Sequence, residues 1–291
     1  MGALTLIDSR IDSSSGSESS DSRVRGEWIR PFSFSCSELE RVAESLRRDY
    51  ETAEPFPHVV IDDLLPIDVL EGLHAEFPDP DHPEWQLHDD PRQQKLQGHR
   101  RELHGPFTRQ VLGELMGRDF LAFLEDVTGV RGLVTDPSLV YGGLHQILPG
   151  GHLQIHVDVT FEPRLHLERR LNLILYLNPR WEEGWAGELE LWDPTAEVCV
   201  VRVQPKWGRM VLFSATPTAY HGHPRPLACP ADVSRRSLAL YYYTVPTGRM
   251  LARTRWVASE NRIELTRHYI AEMLPKAFVA KATRIWEDRH S

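Results

Sequence analysis

The spacing of apolar residues changes character along the chain. Between residues 37 and 130 it is helical. Leu39, Val42, Ala43 and Leu46 follow Ser37-Glu38-Leu39-Glu40, a capping-box signature, and predict a first helix. Pro57-His58-Val59-Val60-Ile61 reads as a short strand, and Pro66 then opens a second helix carrying Val69, Leu70, Leu73 and Phe77. Two further helical stretches, 106–116 and 119–128, end at Gly129. Between them and the second helix, residues 79–105 are polar and aperiodic, which predicts a long loop, functional or partly disordered.

After Pro137 the period shortens. Apolar or alternating runs fall at 139–147, 152–158, 170–177, 187–192, 198–203, 209–214 and 235–244, separated by turn residues such as Pro149-Gly150-Gly151, Asn178-Pro179 and Asp193-Pro194. Many short strands at fairly even spacing predict a sandwich or a cupin-like jelly-roll barrel rather than βαβ units. Helical spacing returns beyond Thr244, with Ile263, Tyr269, Ile270 and Met273 on one face and a break at Leu274-Pro275. The expectation is a mainly β fold with flanking helices in one domain, 26–291. Its parts are a helical segment (37–130), a barrel core (138–246) and C-terminal helices (259–289). A Ser-rich tail, 1–25, is too polar to offset its ordering entropy.

Composition narrows the function classes. The 291 residues carry a net charge of -9, which argues against nucleic-acid binding by counterion release. No apolar run approaches the ~18 residues of a membrane span, and the N-terminus lacks the pattern of a secretory signal, so a cytoplasmic address is expected. Cys36, Cys199 and Cys229 are too few and too far apart for a disulfide framework or a metal knuckle. The fourteen histidines stand out.

A His-x-Asp or His-x-Glu triplet on a strand can offer two metal ligands on one face. His74, His82, His88, His156 and His166 all satisfy that pattern. His74 lies on a predicted helix, His82 precedes a proline, His88 falls in the polar stretch and His166 in a charged connector. Only His156 and Asp158 belong to a strand with an apolar reverse face, formed by Leu153, Ile155 and Val157, while His152, Gln154, His156 and Asp158 alternate onto the other. A solvated strand face accounts for that pattern equally well. Tyr220-His221-Gly222-His223-Pro224 follows a later strand and offers a third ligand, placed here at His221; His223 suits a turn or a substrate contact. Two histidines and one carboxylate with open positions indicate a non-haem Fe(II) oxygenase. Such enzymes need a dicarboxylate held by a fork of donors, for which Arg235 and Ser237 share a strand face. Arg236 alternates with Leu238 and Leu240 and reads as the solvated neighbour.

These segments resemble the prolyl-4-hydroxylase-like branch of the Fe(II)/2-oxoglutarate-dependent dioxygenases, most of all a bacterial subgroup. They are Tyr141–Gln146, Pro149–Leu153, His156-Val157-Asp158, Arg169–Asn178, Ala186–Trp192, His221–Leu227 and Arg235–Tyr241, in that order over about residues 140–244. The resemblance implies a double-stranded β-helix with Fe(II) at His156, Asp158 and His221, 2-oxoglutarate at Arg235, and a hydrogen bond from Tyr176 to that co-substrate. It also implies hydroxylation with O2, releasing succinate and CO2; the carboxylate of Asp158 favours this over halogenation. The stretch between His221 and Arg235 is longer than the family pattern, which leaves the anchor open between Arg235 and Arg236. His152, Gln154, Asn172 and His223 are candidate contacts around the metal or the substrate. The terminal additions suggest a covered pocket and hence a small molecule: an amino acid, a cyclic dipeptide or a natural-product intermediate. The alternatives are a peptidyl, prolyl-type hydroxylase and a non-catalytic metal-binding jelly-roll. The C-terminal helices could cap the barrel or form a homodimer interface.

Overall fold

The computed structural model describes residues 32–246 and 253–257; the Ser-rich tail and the helices expected at 259–289 lie outside the described residues. In chain order the elements are α1 (Cys36–Thr52), β1 (His58–Ile61), α2 (Ile67–Ala75), β2 (Gln86–Asp90), β3 (Gln93–Gly98), α3 (Pro106–Leu115) and α4 (Arg118–Thr128). There follow β4 (Val134–Thr135), β5 (Gly143–Ile147), β6 (Leu153–Val157), β7 (Phe161–Glu162), β8 (Leu167–Tyr176) and β9 (Leu189–Trp192). The last are β10 (Cys199–Val203), β11 (Met210–Ser214), β12 (His221–His223), β13 (Arg235–Thr244) and β14 (Arg255–Trp256).

All strand pairings are antiparallel. They run β1-β11-β8-β13-β5 on one side and β6-β12-β9-β10 on the other, with β3 pairing both β5 and β6. This is a sheet nearly closed on itself, a double-stranded β-helix. Alternation along β8 shows how the two faces divide. Leu171, Leu173 and Leu175 pack outward in one core with Val111, Leu115, Phe120 and Leu124 of α3 and α4. Asn172, Ile174 and Tyr176 point the other way, and Tyr176 joins an inner cluster with Leu189, Leu191 and Phe213. The amphipathic helices thus cover one sheet, and the opposite face of that sheet is left for chemistry.

Local sequence explains several boundaries. Gly129 terminates α4 at φ 72, a left-handed position that glycine adopts without a Cβ penalty. α3 starts at Gly105, which has no side chain to cap it. Glu76 supplies the missing acceptor, its carboxylate taking the N–H of Phe107 (3.0 Å) and of Thr108 (2.7 Å). The capping box expected at Ser37 is absent: α1 begins two residues earlier, behind Ser35, which makes no side-chain cap. Leu139 and Tyr141 sit at φ 53 and 69, so the run at 139–147 becomes strand only from Gly143.

The main correction concerns 79–105, which is not a loop. It folds into the β2–β3 hairpin and a 3-10 turn at Arg101–Leu103. β3 reaches the barrel because Gly143 leaves room for it; a Cβ there would stand 2.2 Å from the carbonyl oxygen of Gly98. The N-terminal segment is therefore not wholly helical but contributes three strands. The connector 159–170 likewise shortens to β7 and a turn before β8. No helix among the described residues is long and apolar enough to cross a membrane.

Candidate active site

The floor of the site is a mismatch between two strands. β12 pairs with β6 through His221↔His156 and His223↔Leu153, so β6 carries one residue more than its partner over that interval. Such a bulge shifts the side-chain phase. Leu153 therefore shares the cavity with His156 and Asp158, while Gln154 and His152 line neither cavity of the site. Gln154 contributes its backbone instead, and His152 Nε2 lies 3.3 Å from the carbonyl oxygen of Pro91.

His156, Asp158 and His221 converge, with one donor atom of each within 4.8 Å of the others. The Nε2 atoms lie 3.4 Å (His156) and 3.7 Å (His221) from the Asp158 carboxylate. Each Nδ1 donates to a backbone carbonyl at 2.9 Å, that of Gln154 for His156 and that of Ala219 for His221. The carbonyl selects the tautomer and leaves Nε2 with a lone pair aimed at the cluster. Burial, then the neighbouring His156, pushes the His221 pKa down to about 4, so this imidazole is neutral at physiological pH. Burial alone would raise the Asp158 carboxyl, but His156, Arg169 and His221 hold it well below the usual range.

Behind the carboxylate lies a second set of contacts. Asn172 donates to Asp158 Oδ2 at 2.8 Å, and Arg169 reaches the same oxygen at 3.2 Å. Arg169 is 2% exposed, and its guanidinium lies 3.8 Å from the Tyr241 ring centroid. The sequence reading missed Arg169, since a buried arginine at the start of a strand has no periodic signature.

Further into the barrel, Arg235 is buried at 4% exposure. Its Nε donates to the Gly187 carbonyl (2.8 Å) and its Nη2 to Tyr176 Oη (3.0 Å). Ser237 lies in register with Tyr176 and with His145 of β5. Arg236 points the other way, its guanidinium 5.1 Å from the Phe77 ring. His223 lines this inner cavity with both ring nitrogens unpartnered, and His145 Nε2 is likewise without a partner. None of the three cysteines lines either cavity.

With this geometry in place, comparison with known proteins is informative. Residues 142–243, which carry His156, Asp158, Arg169, Asn172, Tyr176, His221 and Arg235, match the model of the 2OG-Fe(II) oxygenase superfamily. The chain contains a 2OG-Fe(II) oxygenase domain. It is also 29% identical over 203 residues to the prolyl 3-hydroxylase OGFOD1 of Mus musculus, covering 65% of this chain and 33% of that protein. The chain thus spans about a third of the length of this curated relative. Two solved structures share the oxygenase fold. A Trichoplax adhaerens prolyl hydroxylase bound to a hypoxia-inducible-factor peptide gives a TM-score of 0.51 at 15% identity, over 71% of this chain and 91% of that one. A Pseudomonas putida prolyl-4-hydroxylase gives 0.50 at 19%, over 70% and 99%.

The superfamily uses Fe(II), 2-oxoglutarate and O2, and the residues of this domain suit them. Two imidazoles and one carboxylate are the donor set of a non-haem Fe(II) centre. Arg235 is a buried guanidinium with no carboxylate at ion-pair distance among the described residues, an arrangement that is costly until an anion arrives. A carboxylate of 2-oxoglutarate would meet that need, with Tyr176 and Ser237 beside it.

Acid should destabilise the metal-free protein well before carboxylates titrate. His221 resists protonation in the fold until about pH 4, whereas in the unfolded chain it protonates near 6.5. Between those values the unfolded state binds more protons, so stability falls as pH falls through that window. The linkage amounts to about 3 kcal/mol for His221 alone, and burial shifts His145 and His223 in the same direction. Melting temperatures measured across the window should decline steadily; a flat profile would contradict the burial of these imidazoles as neutral groups.

Proposed function

We propose that this oxygenase hydroxylates a prolyl residue of a protein or peptide, consuming 2-oxoglutarate and O2 and releasing succinate and CO2. The observation that carries the reading is the 29% identity over 203 residues to a prolyl 3-hydroxylase. The small-molecule substrate expected from the sequence rested on terminal additions covering the site. Of these additions, the N-terminal part contributes strands to the barrel wall as well as helices, and the expected C-terminal helices lie outside the described residues.

The cavities have room for a side chain beside the metal ligands. His156 and Asp158 border two compartments, an inner one leading to Arg235 and an outer one of about 380 Å³. Tyr141, Phe161, Tyr241 and Trp256 line the outer compartment, apolar faces suited to a pyrrolidine ring and its flanking chain. Trp256 stacks on His156 with ring centroids 4.8 Å apart, which keeps water from that side of the ligand.

In this reading His156, Asp158 and His221 hold the iron, and Arg235, Ser237 and Tyr176 hold 2-oxoglutarate. Iron supplies activation of O2 for hydrogen abstraction from an unactivated C–H. The chain's own part is orientation: the backbone carbonyls fix both imidazoles, Asn172 and Arg169 fix the carboxylate, and the outer wall places the substrate. The reading is tested by supplying Fe(II), 2-oxoglutarate and O2 with a panel of proline-containing peptides, free amino acids and cyclic dipeptides. Succinate should appear in step with a peptide product heavier by one oxygen atom on proline. Product from the free small molecules alone would overturn it.

A further inference from the structure

β3 belongs to the hairpin outside residues 142–243, and its Gln93, Lys95 and Gln97 alternate onto the cavity side. Gln97 is satisfied, accepting from His88 at 3.0 Å. Lys95 is not: among the described residues no hydrogen bond or ion pair reaches its ammonium. Its position is specific. Lys95 lines both compartments, as do Leu153, His156, Asp158 and Tyr241, so it stands at the junction where the metal ligands lie. Burial pushes its pKa down to about 8, opposed by Asp158 and reinforced by Arg235. Asp158 attracts it without ion-pair contact, and Arg169 and Asn172 already occupy Oδ2 of that carboxylate. A half-buried ammonium that lines the same cavity as a second, buried cation gains from an anion bound there.

Co-substrate chemistry supplies that anion. 2-Oxoglutarate is a dianion, and Arg235, which lines the inner cavity, can neutralise one carboxylate. The other carboxylate, next to the keto group, must lie toward the metal ligands, where Lys95 stands. We propose that Lys95 is a second anchor of 2-oxoglutarate, gripping the iron-proximal carboxylate while Arg235 grips the distal one. Each carboxylate of the loaded site then has its own cation: Arg169 for Asp158, Arg235 and Lys95 for the two ends of the co-substrate. This inference rests on the oxygenase reading of the site.

Anaerobic calorimetry with Mn(II) in place of iron tests it without turnover. Lys95→Met should weaken 2-oxoglutarate binding about 10- to 100-fold, as expected for loss of a charge-assisted hydrogen bond, and leave Mn(II) affinity unchanged. Binding of 2-oxopentanoate, which keeps only the proximal carboxylate, should fall by the same factor in Lys95→Met and stay unaffected in Arg235→Met. Lys95→Arg should restore most of the loss. Removing an unpaired enclosed charge should not lower the melting temperature of the unliganded protein, and Lys95→Gln provides a polar second variant. Unchanged keto-acid affinity in both variants, with a raised KM for the hydroxylated substrate, would overturn the proposal and make Lys95 a substrate contact. A wild-type protein that binds Mn(II) but no 2-oxoglutarate would instead overturn the oxygenase reading itself.

Discussion

Arg235→Met raises the dissociation constant for 2-oxoglutarate by about 100- to 1,000-fold while leaving the metal cluster in place. The magnitude follows from removing one partner of a buried, hydrogen-bonded charge pair, which costs about 3–4 kcal/mol. The effect falls on ligand binding rather than on folding, because Arg235 has no carboxylate partner in the unliganded protein. Its two hydrogen bonds, to Gly187 and Tyr176, are lost with the guanidinium, a cost offset in part by removing a buried charge that has no carboxylate partner. Calorimetric titration separates the anchors. Arg236 lies against Phe77 and outside the cavity, so Arg236→Met should titrate like the wild type. If Arg236→Met lost binding and Arg235→Met kept it, the assignment would be reversed.

The second large effect is that of Asp158→Ala, which removes activity and stability together. Losing an outer contact of a metal ligand typically costs about 10- to 100-fold in affinity or activity, so losing the ligand itself should cost more than about 100-fold. The stability loss has a separate cause. Arg169 stays buried with its carboxylate gone, and leaving one member of a buried ion pair alone costs about 3 kcal/mol or more. Its stacking on Tyr241 survives and places the expected loss toward the lower end. Denaturant unfolding measures this term, and adding Arg169→Leu should recover much of the stability without recovering turnover. Full turnover in Asp158→Ala would sink the metal assignment, and unchanged stability would show that Arg169 does not depend on that carboxylate.

The residues of the site differ in how far the sequence discloses them. His156-Val157-Asp158 is legible because three consecutive residues carry a motif with a chemical reason behind it. Arg235 and Ser237 are legible through alternation, since β13 is a regular strand where they lie. Gln154 and His152 show where that reasoning fails. Strict alternation assigns them to the metal side, but the bulge between β6 and β12 brings Leu153 there instead. A bulge is a property of two strands together, and no periodicity within one of them reports it. Lys95 was hidden for a similar reason. Its neighbours are polar on both sides, so the segment has no apolar period, and only pairing with β5 and β6 makes it a strand.

The sequence alone determined the four N-terminal helices, the longer barrel strands after Pro137, and the clustering of chemistry between residues 141 and 237. Those properties are carried by local periodicity, turn residues and short motifs. Tertiary structure decided which of fourteen histidines share one cavity, that Arg169 backs the Asp158 carboxylate, and that a polar hairpin closes the barrel wall. Each of these depends on pairings between residues far apart in the chain, where packing and charge neutralisation in a low-dielectric interior choose the partners.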